Sequence, residues 1–399
     1  MAHPDFPVIA FDAPWRTRLV VGPGTLSRLG ELAREQGIRR ALVVTDPGIV
    51  AAGHVERARA ILGSSGITVV VFDGVRENPT TLDIDRCLAV AREAGIDGFV
   101  GLGGGSSMDT AKGTNFLLTN GGVMKDYWGV GKATQPMLPL LAIPTTAGTG
   151  SECQSAALIA DEASHRKMAC LDPKAAARVA LLDPELTLSQ PRRVTALTGV
   201  DAITHAVEAA VTRRRHPLSS MHAREAFVLL SRHLPTVLNE PGNLPARAAM
   251  QLGAAHAGIA IELSMLGAAH AAANPLTARF HVVHGAAVGL MLPAVVRFNA
   301  SDPASARAYA DLATAAGIAG PHVPVAMAVD LLLATLGRLL DEAGVPANLH
   351  AALVDPDMIP TLAAEAAQQW TAGFNPRPVG VADFENLYRS AAKGRPQHG

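Results

Sequence analysis

The feature that most constrains the fold is a series of short apolar segments in the first half of the chain, separated by helical patterns. The segments do not alternate between apolar and polar residues, which indicates strands that are buried on both faces. The strand segments are ALVVTD (41–46), ITVVVFDG (67–74), DGFVGLG (97–103) and LPLLAIPTT (138–146), followed by the extended pieces SAALIAD and VALLDP. The pattern predicts a doubly wound α/β domain with a parallel sheet, which binds ligands at the carboxyl ends of its strands.

The pattern changes near residue 190, where long alanine-rich segments with a period of 3.6 residues replace the strands. We expect helices at 195–212, 219–234, 244–274, 283–299, 304–317, 324–343, 359–369 and 382–392. The chain has 399 residues, too many for one ordinary core, and 49% of them are hydrophobic. The sequence therefore predicts an α/β domain over 1–190 and an all-helical domain over 191–399.

Charge and cysteine usage limit the partners and the compartment. A formal net charge of −1 provides no field that attracts nucleic acid or an anionic membrane. The chain has three cysteines without a CxxC pair, which fits a reducing cytoplasm better than a disulfide framework. No signal peptide or membrane span is expected, because basic and long apolar runs of the required kind are missing from the sequence. We expect a cytoplasmic protein that acts on a small molecule, without nucleic-acid or membrane partners.

One glycine-rich segment is a candidate phosphate-binding turn. FVGLGGGSSMDTAKG (99–113) ends a predicted strand with clustered glycines and opens a helix with two serines. Glycine lets the backbone approach a ligand closely, and the N–H groups at a helix start bind anions such as pyrophosphate. The spacing is neither GxGxxG nor a Walker motif, so a plain strand-to-helix turn with a serine cap is the alternative.

Two further segments fit a dinucleotide site. Asp46 follows a strand, about where an acid meets the adenosine ribose hydroxyls of a dinucleotide. A carboxylate there repels a 2′-phosphate and favours NAD over NADP, whereas a turn or helix-capping aspartate is the alternative. PTTAGTGSE (144–152) carries Thr145, Thr146 and Thr149 on a glycine-containing loop, and a hydroxyl-rich connector is its alternative interpretation.

In the second half, one acid and three histidines have the spacing of a metal site. Asp201 and His205 are one helical turn apart, while His270 and His284 belong to two later helical segments. One carboxylate and three imidazoles suit Fe²⁺ or Zn²⁺ and leave room for a substrate oxygen. Alternatively, each histidine satisfies its own local hydrogen bonds. Glu208, on the same stripe, would either orient His205 or pair with a cation elsewhere.

Taken together, these motifs resemble the iron-containing alcohol dehydrogenase family, in order and over nearly the whole chain. They are GGGSSMDTAK, PTTAGTGSE, TGVDAITHAVE and HAAANPL followed by HG, with ENPT near 78 and NPRP near 375. The similarity is to the group III enzymes, which include relatives of lactaldehyde reductase and propanediol dehydrogenase. It implies a dehydroquinate synthase-like architecture, with an N-terminal dinucleotide-binding α/β domain, an all-α C-terminal domain, and the metal and nicotinamide in the cleft between them.

The resemblance also implies the site residues. The family's metal ligands fall on Asp201, His205, His270 and His284. Its NAD(H)-binding residues fall on Asp46, Asn78, Gly104, Gly105, Ser106, Thr145, Thr146, Thr149 and Lys167.

The chain departs from the family pattern at one position. Many members have a second histidine one turn after the first histidine of HAxxH, and this chain has Asn274 there. Asparagine forms hydrogen bonds but does not titrate. A proton relay must therefore be absent or moved, with His281, His256 and Glu262 as the candidates.

The implied function is metal-assisted hydride transfer between NAD(H) and a small alcohol or aldehyde, by an alcohol dehydrogenase or aldehyde reductase. Three alternatives stay open: a dehydroquinate synthase-like enzyme, a glycerol-phosphate dehydrogenase-like enzyme, and a non-catalytic NAD- or metal-binding protein. The first two need a basic phosphate pocket near the metal, and the helix at 195–212 offers no basic residue before Arg213. The family favours a homodimer or a higher homo-oligomer.

Overall fold

The computed structural model of the chain describes residues 10–13, 16–164 and 166–395. The chain divides into two compact units, Trp15–Pro191 and Arg192–Gly399. The described residues 10–13 group with the second unit, where the ring of Phe11 stacks on His216 with centroids 4.4 Å apart.

The first unit is built on a parallel sheet. The described strands are β1 (Arg18–Val21), β2 (Arg40–Val44), β3 (Thr68–Phe72), β4 (Gly98–Gly103), β5 (Gly129–Val130), β6 (Leu140–Pro144), β7 (Ala156–Ala160), β8 (Lys167–Leu171) and β9 (Val179–Leu182). Six of them form the sheet in the order β1-β9-β6-β4-β2-β3, and all its neighbouring strands run parallel. Parallel neighbours need crossover connections, which helices supply here.

Helices cover both faces of this sheet. The described helices of the first unit are α1 (Leu29–Glu35), α2 (Pro47–Ala51), α3 (His54–Ser64), α4 (Thr81–Ala94) and α5 (Gly105–Asn120). Successive strand residues point to opposite faces. Val43 of β2 is buried in one cluster with Leu29 of α1, whereas Leu42 is buried in the other with Cys87 of α4. Burial on both faces explains why these strands lack polar alternation, and the predicted α/β class is confirmed.

A second, smaller sheet was not predicted from the sequence. β5, β8 and β7 form it, with β7 and β8 antiparallel. These two strands are close in sequence, and the backbone N–H of Asp161 donates to the carbonyl of Arg166 at 2.9 Å. Such short strands have little pattern of their own, and their pairing depends on partners that are distant in sequence.

The described part of the second unit consists of helices joined by loops, with no strand. Its helices are α6 (Arg192–Ala209), α7 (Pro217–Asn239), α8 (Leu244–Ser264), α9 (Ala268–Phe280), α10 (His284–Asn299), α11 (Pro303–Ala315), α12 (Val325–Glu342), α13 (Ile359–Ala367) and α14 (Val381–Lys393). The single helix predicted at 244–274 is wrong, because the chain breaks after Ser264. Met265 there adopts a left-handed φ of 101°, and α8 and α9 are bent by 106°.

No single described helix is long and apolar enough to cross a membrane. Only α8 and α9 taken together reach the length and hydropathy of a span, across their 106° bend. Most residues of both helices are buried within the helical unit.

Candidate functional site

The helix α6 carries an acid and an imidazole on a buried stripe. Asp201 and His205 are four residues apart, so their side chains lie one above the other. Each is only 5% exposed. The neighbouring Ala202 and Ala206 are fully buried, and their small side chains let other helices approach closely.

Three imidazoles surround one oxygen of Asp201. Its Oδ1 lies 3.4 Å from Nε2 of His205, 3.4 Å from Nε2 of His270 and 3.7 Å from Nε2 of His284. The rings of His205 and His270 stack with centroids 4.8 Å apart. The ligand atoms of Asp201, His270 and His284 all lie within 4.8 Å of one another. Residues from α6, α9 and α10 thus bring their donor atoms to one point.

The donor atoms fit a cation. Oδ1 of Asp201 and Nε2 of His270 are buried, and neither makes a hydrogen bond within the described part of the chain. A buried polar atom without a partner costs about 1–3 kcal/mol. A divalent ion held by both atoms offsets this cost, and one carboxylate with imidazoles is a donor set for Fe²⁺ or Zn²⁺. The residues present therefore suit the predicted metal.

The electrostatics of the cluster also favour positive charge. Burial by itself raises the pKa of Asp201, but the surrounding imidazoles, His205 first among them, bring that pKa well below its usual range. Burial opposes charge on His270 as well, yet the carboxylates of Glu208 and Asp201 raise its pKa to about 9. The two carboxylates beside His270 thus favour positive charge at this point of the helical unit.

Glu208 contacts a different ligand from the one expected. The sequence predicts that it orients His205 or pairs with a cation elsewhere. In the structure its Oε2 lies 2.6 Å from Nδ1 of His270, and its Oε1 accepts from the backbone N–H of Ala269 at 2.6 Å. Glu208 of α6 thus contacts the imidazole of His270 on α9.

His284 is placed by the glycine that follows it. A Cβ at Gly285 would lie 2.0 Å from the carbonyl oxygen of Leu197 and 2.7 Å from its carbonyl carbon. Because these are backbone atoms, only glycine lets α10 start this close to α6. The side chain of His284 is 26% exposed, against 7% for that of Asp201, so the cluster is most open on this side.

In the first unit, three predicted cofactor segments lie at one edge of the sheet. The neighbouring parallel strands β2, β4 and β6 have their carboxyl ends at the same edge. Asp46 follows β2, Gly104 follows β4 and Thr145 follows β6. This edge is where open α/β sheets bind ligands.

The glycine turn and the threonine loop are in contact. A Cβ at Gly105 would lie 2.8 Å from Cγ2 of Thr149, and one at Gly104 would lie 3.4 Å from Cγ2 of Thr146. Gly104 is the N-cap of α5, and no side chain caps that helix. The alternative of a serine cap is therefore wrong, since Ser106 already lies within the first turn. An uncapped helix start is a site for an anion.

Asp46 has two oxygens in different surroundings. Its Oδ1 accepts from the backbone N–H groups of Gly48 at 2.9 Å and Ile49 at 3.1 Å, so it caps α2. Its Oδ2 lies 3.5 Å from where a Cβ at Gly103 would be, beside the glycine turn. Asp46 is therefore a helix-capping residue, as the alternative interpretation predicts. Its second oxygen, Oδ2, takes no part in the cap and faces the glycine turn, where the ribose is predicted.

Two residues that only the resemblance indicated also come together. Nζ of Lys167, at the start of β8, lies 3.4 Å from Oδ1 of Asn78. Asn78 has a φ of 54°, a left-handed conformation that asparagine tolerates better than most residues.

The predicted replacements for the missing family histidine lie in different places. Asn274, one turn after His270 on α9, donates from Nδ2 to Oε1 of Gln369 at 3.0 Å. His281 is exposed and ends α9 with a left-handed φ of 53°. Asn274 is therefore held as a hydrogen-bonding group, and His281 lies at the solvent-exposed end of the same helix.

The other two relay candidates belong to α8. Nδ1 of His256 lies 2.8 Å from Nδ1 of His222 on α7, within hydrogen-bond distance. Glu262 lies further along α8 and is partly buried. The His256 contact links two helices and gives that residue a structural role.

Sequence reasoning missed the positioning role of Lys112, the lysine of GGGSSMDTAK. Its fully buried Nζ donates to the carbonyl of Ser151 at 2.6 Å, to Oγ of Ser151 at 2.9 Å and to the carbonyl of Ala156 at 3.0 Å. Oγ of Ser151 donates in turn to Asp109 at 2.8 Å. Lys112 thus ties α5 to the end of the threonine loop. The available signal was weak: a lysine inside a predicted helix, three positions after Asp109.

We expect Lys112→Met to lower the free energy of unfolding by about 3–5 kcal/mol, because losing a buried cation leaves its partners uncompensated. Urea denaturation of the full chain measures the change. Lys132→Met, at an exposed lysine, should stay within about 0.5 kcal/mol of the parent protein. Equal losses in the two variants would show that the buried contacts contribute nothing specific.

The fold and the site together define a class: a parallel α/β unit with a glycine turn, followed by a helical unit with one acid among three histidines. Two family models match the chain. "Iron-containing alcohol dehydrogenase" matches residues 16–184, and "Fe-containing alcohol dehydrogenase family, C-terminal" matches residues 195–392. The chain belongs to the iron-containing alcohol dehydrogenase family.

Individual relatives agree with the family models. The NAD-dependent methanol dehydrogenase of Bacillus methanolicus is 31% identical over 372 residues, which cover 93% of this chain and 97% of that protein. The lactaldehyde reductase of Escherichia coli strain K12 is 31% identical over 373 residues, covering 93% and 96%. A crystal structure of 1,3-propanediol oxidoreductase superposes with a TM-score of 0.93 at 32% identity, covering 96% of this chain and 100% of that one.

These similarities confirm the predicted family and fold class. They also favour an oxidoreductase of the alcohol and aldehyde class over the synthase-like, glycerol-phosphate dehydrogenase-like and non-catalytic alternatives.

Proposed function

We propose that the protein is an NAD(H)-dependent alcohol dehydrogenase or aldehyde reductase that uses Fe²⁺ or Zn²⁺ and acts on small alcohols and aldehydes. The observation that carries the proposal is the convergence of three imidazole nitrogens on Oδ1 of Asp201, at 3.4, 3.4 and 3.7 Å. The NAD dependence named for the methanol dehydrogenase relative supports the choice of cofactor.

The metal would be held by the one carboxylate and three imidazoles of the cluster, namely Asp201, His205, His270 and His284. When bound, a divalent ion supplies Lewis-acid chemistry at a substrate oxygen, and the dinucleotide supplies or accepts the hydride. The buried side chains of His205 and His270 exclude water from one side of the cluster. His284, the most exposed of the four, leaves the opening through which a substrate oxygen enters.

The dinucleotide would be held at the carboxyl edge of the parallel sheet. We assign Oδ2 of Asp46 to the ribose hydroxyls and the start of α5 to the pyrophosphate. The full set of proposed NAD(H)-binding residues is Asp46, Asn78, Gly104, Gly105, Ser106, Thr145, Thr146, Thr149 and Lys167.

Two polar residues that follow His270 in sequence would assist at the substrate. Asn274 lies one turn after His270 on α9, whereas His281 follows the last residue of that helix with a left-handed φ of 53°. We propose that Asn274 donates or accepts a hydrogen bond without exchanging a proton. His281, exposed just beyond the C-terminal end of α9, is our candidate for a proton relay.

An assay of NADH oxidation with a panel of short aldehydes, with and without added Fe²⁺ or Zn²⁺, tests the function. We expect turnover that a chelator removes and a divalent ion restores. Metal and NADH binding without turnover on any aldehyde, or on the matching alcohols with NAD⁺, would instead indicate a non-catalytic protein.

We expect Asp46→Asn to lower the preference for NADH over NADPH by about tenfold or more. The carboxylate of Asp46 and the 2′-phosphate of NADPH, about 4 Å apart, would repel by roughly 4 kcal/mol at an effective dielectric constant near 20. A tenfold change in preference needs only about 1.4 kcal/mol, so losing part of this repulsion is enough. Asparagine caps helices as well as aspartate does, so the fold should be unchanged. The ratio of kcat/KM for the two cofactors measures the effect.

The control for this prediction is Asp330→Asn, which removes an exposed charge from α12. It should leave the cofactor ratio unchanged. A parent protein that already prefers NADPH would overturn the assignment of Asp46 to the ribose.

The remaining proposals concern organisation. We propose that the boundary near residue 190 separates the NAD-binding domain, predicted as 1–190, from the metal- and substrate-binding domain, predicted as 191–399. The described residues 10–13 are the exception, since they group with the second of these. We also propose a cytoplasmic homodimer or higher homo-oligomer, which size-exclusion chromatography with light scattering tests.

A further inference from the structure

The helix α9, which carries His270, begins without a cap of its own. Its N-cap residue is Gly267, which offers no side chain to the first N–H groups. Two distant residues take that place. Oε1 of Glu208 accepts from the N–H of Ala269 at 2.6 Å, and Oδ1 of Asn375 accepts from the N–H of Ala268 at 3.3 Å.

The two capping side chains close tightly around the helix start. A Cβ at Gly267 would lie 3.1 Å from Oδ1 of Asn375 and 3.1 Å from Oε1 of Glu208. Asn375, which is 1% exposed, is itself fixed by Asn299: each amide donates to the other, at 2.8 and 3.0 Å. The NPRP segment that holds Asn375 therefore serves the metal-ligand helix.

Glu208 differs from Asn375 in having a second contact. Its Oε2 lies 2.6 Å from Nδ1 of His270. A carboxylate only accepts hydrogen bonds, so the imidazole donates its Nδ1 proton. The other ring nitrogen, Nε2, is the atom that lies 3.4 Å from Oδ1 of Asp201.

We propose that Glu208 is a positioning residue, which fixes the His270 tautomer that presents the lone pair of Nε2 to the metal. Asn375 shares only the capping of α9. The proposal rests on the metal site of the proposed function. One carboxylate thus links the backbone of the ligand helix to the ligand ring.

Glu208→Gln separates the two roles of this carboxylate. The amide oxygen still accepts from Ala269, but the amide nitrogen faces Nδ1 of His270 and moves the ring proton to Nε2. We expect Zn²⁺ affinity, measured by competition with a fluorescent chelator, to fall 10- to 100-fold. The thermal midpoint of the metal-free protein should fall by less than in the matched variant Asn375→Ala.

Asn375→Ala removes a cap and both Asn299 contacts but leaves the Glu208 contact with the ring. We expect its thermal midpoint to fall and its Zn²⁺ affinity to change less than about threefold. If Asn375→Ala lost as much affinity as Glu208→Gln, general loosening of α9 would explain both, and the positioning role would be overturned. Unchanged affinity in Glu208→Gln would also overturn it.

A measurement on the parent protein does not depend on any variant folding. With ¹⁵N-labelled histidine in the Zn²⁺ form, we expect His270 to carry its proton on Nδ1. A proton on Nε2 would overturn the inference. A parent protein that binds no Zn²⁺ or Fe²⁺ would instead contradict the proposed function, so the two failures are distinguishable.

Discussion

Asp201→Ala should lose metal and turnover together while the helical fold persists. The substitution removes the oxygen on which the nitrogens of His205, His270 and His284 converge. We expect the loss of Fe²⁺ or Zn²⁺ affinity to exceed about 100-fold, since removing an outer partner of a ligand typically costs 10- to 100-fold. Metal content after dialysis, together with NADH-dependent aldehyde reduction, measures the result.

His270→Ala should behave in the same way, because it removes a second buried donor. Circular dichroism of both variants checks that the helices remain. The control is His322→Ala, at an exposed histidine outside the cluster, which should keep its metal and its activity. Full activity in a metal-stripped His270→Ala protein would reject the metal-dependent mechanism.

The second large effect is expected from a single methyl group. In Gly285→Ala the new Cβ would lie 2.0 Å from the carbonyl oxygen of Leu197, so the start of α10 must move away from α6. We expect the free energy of unfolding to fall by about 3 kcal/mol. Because His284 precedes Gly285, it should retreat from Asp201, and Zn²⁺ affinity should fall about tenfold or more. Urea denaturation and chelator competition measure the two effects.

The matched control is Gly63→Ala near the end of α3, where a Cβ would meet nothing within 4 Å. Alanine is the better helix former, so this change should be neutral or stabilise the protein by about 0.5–1 kcal/mol. If Gly285→Ala were as well tolerated, the contact between α10 and α6 would not constrain His284.

The sequence was sufficient wherever a local pattern determined the structure. The apolar runs around Val43 and Val100 indicated strands buried on both faces, and the alanine-rich segments after residue 190 indicated helices. Asp201 and His205 were already paired by their spacing of one turn. The convergence of His270 and His284 on the same oxygen was a hypothesis from residue chemistry, to which the structure adds distances.

The sequence was insufficient where the structure depends on contacts between distant residues. The break at Met265 was missed because the apolar period continues through it, and a left-handed φ of 101° at a methionine has no local sequence signal. For Glu208 the sequence leaves two alternatives, orienting His205 or pairing with a cation elsewhere, because only the i, i+3 spacing is visible in sequence. Its actual partner, His270, lies 62 residues away. The contacts of Lys112 with Ser151 were hidden for the same reason.

The four proposed metal ligands all lie between positions 201 and 284, whereas the proposed cofactor residues all lie between 46 and 167. The proposed metal ligands and the proposed cofactor residues are therefore encoded by two separate segments of the gene. Mutations that retune the choice of dinucleotide can accumulate in one stretch without altering the chemistry of the ion held by the other. A lineage built on this plan can therefore change its dinucleotide and its metal ion in separate evolutionary steps.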